Sequence, residues 1–257
     1  MANPPAIEAK KARRLALNKA FYPEAHAGDF TRIDKMIAFY GRIDALLTPA
    51  STVLDFGAGR GAHIIEEPIA YRRKLAVFKD RCAHVDGCDV DPVVLDNPFL
   101  DDARVIAPNG ALPYEDDRFD VIVARYVLEH VENAELMARE LIRVTKPGGW
   151  ICVATPNRWG YLALAARLVP NRLHGKIVSR VQPFRKEEDV FPTCYRMNTP
   201  GALRRLFTGC DVYAYRSHAE PSYHFNSRLV YALFRALHAV LPPLFQPQMF
   251  AFIRKRG

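Results

Sequence analysis

The stretch that decides the fold is Ser51-Thr52-Val53-Leu54-Asp55-Phe56-Gly57-Ala58-Gly59-Arg60-Gly61-Ala62-His63. It begins as a short apolar run, reaches an acidic residue and opens into a glycine loop. A buried strand that stops, turns sharply and feeds a helix is built in that order. Glycine permits positive φ and lets backbone approach a ligand that side chains would hold off. The first N–H groups of the following helix are left to meet polar ligand atoms. Alone, the loop is weak evidence, because glycine turns of this kind also serve nicotinamide and flavin cofactors. The strict dinucleotide spacing G-x-G-x-x-G fails, since position 62 is Ala and the third glycine is Gly61. The alanine-tolerant form of that fingerprint still matches.

Downstream the pattern repeats. VDGCDVDP (85–92), FDVIVARYVLEHV (119–131) and GGWICVATPN (148–157) are further apolar runs. Between the last two lies ENAELMARELIRVT (132–145), a helical pattern that Lys146-Pro147-Gly148-Gly149 stops and turns into the next strand. Strands alternating with helices predict a parallel sheet with helices on both faces. Upstream, residues 6–20 read as a basic amphipathic helix. Residues 31–47 read as another, with Thr31 as N-cap and Ile33, Met36, Ile37, Tyr40, Ile43 and Leu47 on one face. After Asn157 the alternation breaks into a basic, partly helical insert. TPGALRRLFTG (199–209) resumes the sheet-packing helices, and DVYAYRSH and MFAFIRKR read as final strands. SRLVYALFRALHAVLPPLF (227–245), between them, is an apolar helix ended by Pro242-Pro243. The expected organisation is a helical cap over 1–48, a core over 49–157, a basic insert or lid over 158–195, and the end of the sheet over 196–257.

Composition narrows the class. With 257 residues, 49% of them hydrophobic and 25% charged, the chain can bury a large core. No uncharged apolar run is long enough to span a bilayer, and the N-terminus reads as no secretory signal. Five cysteines, none in a C-x-x-C pair, argue against a structural zinc site and fit a reduced, cytoplasmic setting. The net charge of +8 favours anionic partners. It is concentrated in two clusters: Lys10, Lys11, Arg13, Arg14 and Lys19, and the six basic residues from Arg167 to Lys186. Either cluster is equally a solvated helix face.

Asp89, at the tip of the second apolar run, can accept two hydrogen bonds from a ribose diol. Asp86 and Asp91 compete for that role, and register favours Asp89. A further block, Leu112-Pro113-Tyr114-Glu115-Asp116-Asp117-Arg118-Phe119-Asp120, precedes VIVARYVLEHV, and LIRVTKPGGWICVATPN follows. Together the four blocks resemble class I S-adenosylmethionine-dependent methyltransferases, near the ubiquinone-pathway and sugar O-methyltransferases. The resemblance covers residues 50–157 well and 190–215 weakly. It implies an α/β fold with a Rossmann-like sheet, mostly parallel with an antiparallel last strand, carrying helical lid inserts.

That resemblance also implies site roles. Asp55 with Gly57, Ala58, Gly59 and Gly61 would hold the methionine part of the cofactor. Asp89 would bind the ribose hydroxyls, Val90 would flank the adenine, and Arg125 would face the methionine end. An acidic residue often contacts the adenine amine before the Leu-Pro block. Here that stretch is Ala107-Pro108-Asn109-Gly110-Ala111, so Asn109 would stand in through its amide. His130, just past the strand facing the sulfonium, is the candidate base. A structural reading, with Glu129-His130 capping a helix or fixing the loop, stands beside it. Some ubiquinone-pathway relatives use a Glu three residues before this pair to hold a metal. Tyr126 occupies that position here, so no metal is expected.

The acceptor is narrowed by what is missing. Ala124-Arg125-Tyr126-Val127 stands where amino-methylating enzymes carry Asn/Asp-Pro-Pro-aromatic, and no cysteine suits cytosine methylation. No RNA-binding module is visible, and charge alone is a weak signal for nucleic acid. A small anionic or glycan-linked molecule is the leading expectation, with O-methylation as the reaction and a role in polysaccharide biosynthesis. A lipid or quinone precursor at an anionic membrane is the second, because 160–181 and 228–245 mix apolar with basic residues. The same inserts read equally as a substrate lid. RNA methylation and a non-catalytic cofactor-binding protein complete the alternatives. The aromatics Phe21, Tyr22, Phe30, Phe39 and Tyr40 are expected to close over the cofactor or to pack between helices.

Overall fold

The computed structural model describes residues 4–168, 192–221 and 224–257. Seven strands form one sheet: β1 (Thr52–Phe56), β2 (His84–Asp89), β3 (Asp102–Val105), β4 (Phe119–Arg125), β5 (Thr145–Pro156), β6 (Cys210–Ser217) and β7 (Gln248–Lys255). Their spatial order is β3-β2-β1-β4-β5-β7-β6. The first five run parallel, and β7 runs antiparallel to both of its neighbours. This is the sheet expected from the sequence, last strand included.

Strand alternation sorts the core into two layers. On β4, Ile122 and Ala124 face one layer while Val121 and Val123 face the other. Met249, Ala251 and Ile253 of β7 join the first layer, and Phe250 and Phe252 the second. Helix α5 (Ala134–Val144) covers the first through Met137, Ala138, Leu141 and Val144. It is joined by Leu203 of α7 (Pro200–Leu206), whose N-cap Thr199 accepts from the Ala202 N–H. Helix α2 (Lys35–Asp44) covers the second with Met36, Phe39, Tyr40 and Ile43. The other α-helices among the described residues are α1 (Pro4–Phe21), α3 (Ala62–Ile65), α4 (Ala70–Ala76), α6 (Tyr161–Leu168) and α8 (Arg228–Val240).

Two expectations are corrected, and a third is decided between its two readings. The second helix begins at Lys35, not Thr31. Asp34 caps it by accepting from the Met36 and Ile37 N–H groups, while Thr31 Oγ1 donates to buried Glu220 Oε1 at 2.7 Å. The Lys146–Gly149 segment is not a separate turn. Strand β5 starts at Thr145, and the register with β4 jumps from Phe119↔Thr145 to Val121↔Trp150, so Pro147 and Gly148 sit in a bulge. The N-terminal aromatics chiefly pack between elements. Phe39 stacks on Phe250, Phe21 on Tyr231, and Phe30 meets Tyr71. Of the basic insert, Arg172, Lys176, Arg180, Arg185 and Lys186 lie outside the described residues. Among the described residues, no helix is long and apolar enough to cross a membrane.

Candidate cofactor and acceptor site

Strands β1 and β2 end side by side, and the loop between β1 and α3 is tied to that end by backbone. The Gly57 and Ala58 N–H groups both donate to the Cys88 carbonyl, at 2.8 and 3.2 Å. Gly57, Gly59 and Gly61 all have positive φ, the region that favours glycine. A Cβ on Gly57 would run into Val127, and one on Gly61 would meet Phe99 and Asn97. At Gly59 a Cβ would meet only Asp89 Oδ2, at 3.9 Å, so the loop faces open space there. The Gly59 N–H donates to that same oxygen at 2.9 Å, and the Asp91 N–H donates to Asp89 Oδ1 at 3.0 Å. Each carboxylate oxygen keeps a further lone pair. Asp89 is thereby fixed with its acceptor capacity turned toward the loop. Its competitors are occupied: Asp86 is buried against Arg118 at 2.8 Å, and Asp91 caps the turn after β2 by accepting from the Val93 N–H.

Below the loop lies a buried charged group. Burial pushes the Asp55 carboxyl up to about 7, with Arg125 pulling the other way and Asp89 adding to the rise. Burial, reinforced by Arg125, holds His63 down at about 3, so its imidazole is neutral. Burial also raises the Tyr40 phenol, against Arg125, which places that aromatic beside the same group. Arg125 packs over the Tyr126 ring, 5.1 Å from its centroid, and its buried Nε has no hydrogen-bond partner. A buried N–H of that kind is costly unless an acceptor meets it.

The ends of β4 and β5 carry the rest. Tyr126 follows β4 with φ +55, uncommon for a tyrosine. Its hydroxyl donates to Gln248 Oε1 at 2.8 Å, an oxygen that Lys35 Nζ also reaches at 3.3 Å. Glu129 is buried. Its Oε2 accepts from Thr155 Oγ1 at 2.9 Å, and its carbonyl accepts from the Cys194 and Tyr195 N–H groups. His130 Nδ1 lies 2.9 Å from the Pro192 carbonyl. A carbonyl only accepts, so Nδ1 carries the proton and Nε2 is the basic nitrogen. Glu129 thus pins the loop, and the cap of α5 is Asn133, not the Glu-His pair.

Asp55, the glycine loop, Asp89 and Arg125 come together at the carboxyl-terminal ends of β1, β2 and β4. Val90 is half-buried against the core beside them. Asn109 is engaged elsewhere: its Nδ2 donates to Glu132 Oε2 at 3.3 Å and its Oδ1 accepts from the Asn133 N–H at 2.9 Å. It borders a cavity of about 640 Å³ shared with Glu132, Glu135, Arg158, Arg196 and Arg205. His63, Lys35 and Gln248 went unread in the sequence, and Tyr126 was read only as the wrong residue for a metal. His63 was signalled only by its place just after the third glycine, and Gln248 by nothing local.

A profile of the methyltransferase domain matches residues 26–209. The chain belongs to the methyltransferase domain family. This methyltransferase domain is 32% identical over 120 residues to malonyl-[acyl-carrier protein] O-methyltransferase of Halorhodospira halophila, covering 44% of this chain and 38% of that protein. It is 35% identical over 135 residues to demethylmenaquinone methyltransferase of Streptomyces griseus, covering 48% and 53%. The chain therefore matches about half the length of these curated relatives, or less. A SAM-dependent methyltransferase from Archaeoglobus fulgidus shares the fold, with a TM-score of 0.50 at 18% identity over 88% and 95% of the two chains. S-adenosylmethionine is the cofactor of this methyltransferase family, and the residues present fit it. They offer a loop open at Gly59, a carboxylate with spare lone pairs and a buried guanidinium N–H without a partner.

Proposed function

We propose that this methyltransferase domain methylates a hydroxyl of a small anionic acceptor, of the sugar, glycan or nucleotide-sugar class. Asp89 takes the ribose hydroxyls. Asp55 and the Gly57, Ala58, Gly59 and Gly61 backbone hold the methionine part, and Arg125 offers its Nε–H to the carboxylate there. Val90 flanks the adenine. Asn109 is left out of this set, because both ends of its amide are already bonded.

When bound, S-adenosylmethionine supplies a methyl group already activated on a sulfonium. Alignment of the acceptor then accounts for much of the rate, and the chain must add a group that takes the hydroxyl proton. His130 has that role. Its Nδ1 faces the Pro192 carbonyl at 2.9 Å, which orients the ring, and this contact is the observation that carries O-methylation. The acceptor's charge is inferred from Arg158, Arg196 and Arg205, which outnumber Glu132 and Glu135 around the cavity that Asn109 borders. Transfer of labelled methyl from S-adenosylmethionine should place label in a nucleotide-sugar or glycan fraction. Incorporation confined to amines or to RNA would overturn it.

A second reading, a quinone or lipid precursor as acceptor, is supported by the Streptomyces griseus relative. It is told apart by label appearing only in the organic-extractable fraction.

A further inference from the structure

Helix α8 is seated on its inner face and bare on its outer one. Inside, Tyr231 is fully buried, stacks on Phe21 at 4.8 Å and donates its hydroxyl to Asn18 Oδ1 at 2.8 Å. Buried His238 is held between the Ala219 carbonyl at 3.0 Å and the Tyr161 hydroxyl at 2.9 Å. Outside, Leu229 is 70% exposed, Leu233 61% and Val240 78%, with Leu237 also open between them. These positions recur every three or four residues and share one helix face. Phe225, 67% exposed, precedes the helix, and Leu244 and Phe245, also exposed, follow it. Scattered exposed leucines need no explanation, but a continuous ridge marks an interaction surface.

The charge on α8 itself and on the chain that follows it is of one sign. From Pro221 to Gly257 the sequence has no acidic residue. Arg228 and Arg235 are exposed on α8 itself. Arg235 reaches the Phe21 carbonyl at the end of α1 at 3.1 Å, and Arg14 of α1 acts on the Tyr231 phenol, so basic α1 lies alongside. Lys11, Arg13, Arg14 and Lys19 are further cations of α1, Lys19 paired with Asp29.

We propose that the outer face of α8 docks this protein on an anionic lipid surface. The leucines and Val240 enter the boundary between headgroups and acyl chains, and Arg228, Arg235 and the α1 cations meet the headgroups. The helix has 13 residues, too few to span, so it lies in the plane of the surface. The proposal is independent of the acceptor's identity.

The test is co-sedimentation of the full chain with phosphatidylcholine vesicles, with and without phosphatidylglycerol, at low and high salt. The wild-type protein should bind the vesicles that contain phosphatidylglycerol at low salt and lose binding as salt screens the headgroups. The triple variant Leu229→Asp, Leu233→Asp, Val240→Asp should bind about tenfold more weakly or worse. It should still bind S-adenosylmethionine like the wild type, which shows that it folds. Vesicle binding unchanged in the variant would overturn the proposal, as would no binding by the wild type at low salt. So would light scattering that finds a wild-type dimer and a monomeric variant, since the ridge would then face a second copy.

Discussion

The two halves of the site are built differently. At the ends of β1 and β2 the positioning contacts come from nearby backbone: Gly57 and Ala58 hang on Cys88, and Gly59 and Asp91 hold Asp89. At the ends of β4 and β5 they come from distant side chains and loops. Gln248 holds Tyr126, Pro192 orients His130, and Cys194 and Tyr195 clamp Glu129. The first half is a device written into a short motif. The second exists only once the chain has folded.

The largest effect that would test this division is at His130. His130→Ala should lower kcat about a thousandfold, with the dissociation constant of S-adenosylmethionine unchanged by calorimetry. Equal loss of cofactor affinity would merge the two halves and remove His130 from proton transfer. Asp89→Ala should do the reverse, weakening the cofactor about a hundredfold by removing charge-assisted hydrogen bonds. Unchanged affinity would mean that the β1–β2 edge is not the cofactor's half.

Gly57→Ala tests the seam between the halves. A methyl at φ +76 pressed against Val127 should cost about 2 kcal/mol in denaturant unfolding. Gly57→Ala with Val127→Ala should recover the steric share and leave the backbone share. If Val127→Ala recovers nothing, the halves do not touch there in solution.

The remaining test is a slope in pH. Asp55 titrates near 7 when folded and near the ordinary aspartate value when unfolded. Between those values the folded state holds one more proton, so stability falls as pH rises through that window, by up to about 1.4 kcal/mol per pH unit. In the ligand-free protein, Asp55→Asn should flatten this slope and be the more stable form above pH 7. An unaltered slope would place its origin elsewhere.

The same division explains what the sequence disclosed. Strands β1, β2, β4 and β5 were legible because they are buried apolar runs punctuated by glycine and acid. β3 was not: Asp102-Ala103-Arg104-Val105 is a short edge strand, mostly exposed, with no apolar signal to give. The start of α2 was misplaced because both Thr31 and Asp34 suit an N-cap. Only Glu220, far along the chain, decides between them by engaging Thr31. Asn109 looked like an adenine contact by its distance from Leu112-Pro113, and its bonds to Glu132 and Asn133 depend on where α5 begins. Tyr126 could be read as the wrong residue for a metal but not as a strained anchor, since nothing adjacent to it encodes Gln248.

Strand β7 is the last of the seven to be synthesised, yet it lies inside the sheet, between β5 and β6. Until residues 248–255 clear the ribosome, β5 ends in an open edge and β6 has no strand to join. The nascent chain therefore passes through a stage with unpaired strand edges, able to pair with another chain. Gln248, the anchor of Tyr126, arrives with that closing strand, so the loop after β4 gains its distant support in the same step that seals the sheet.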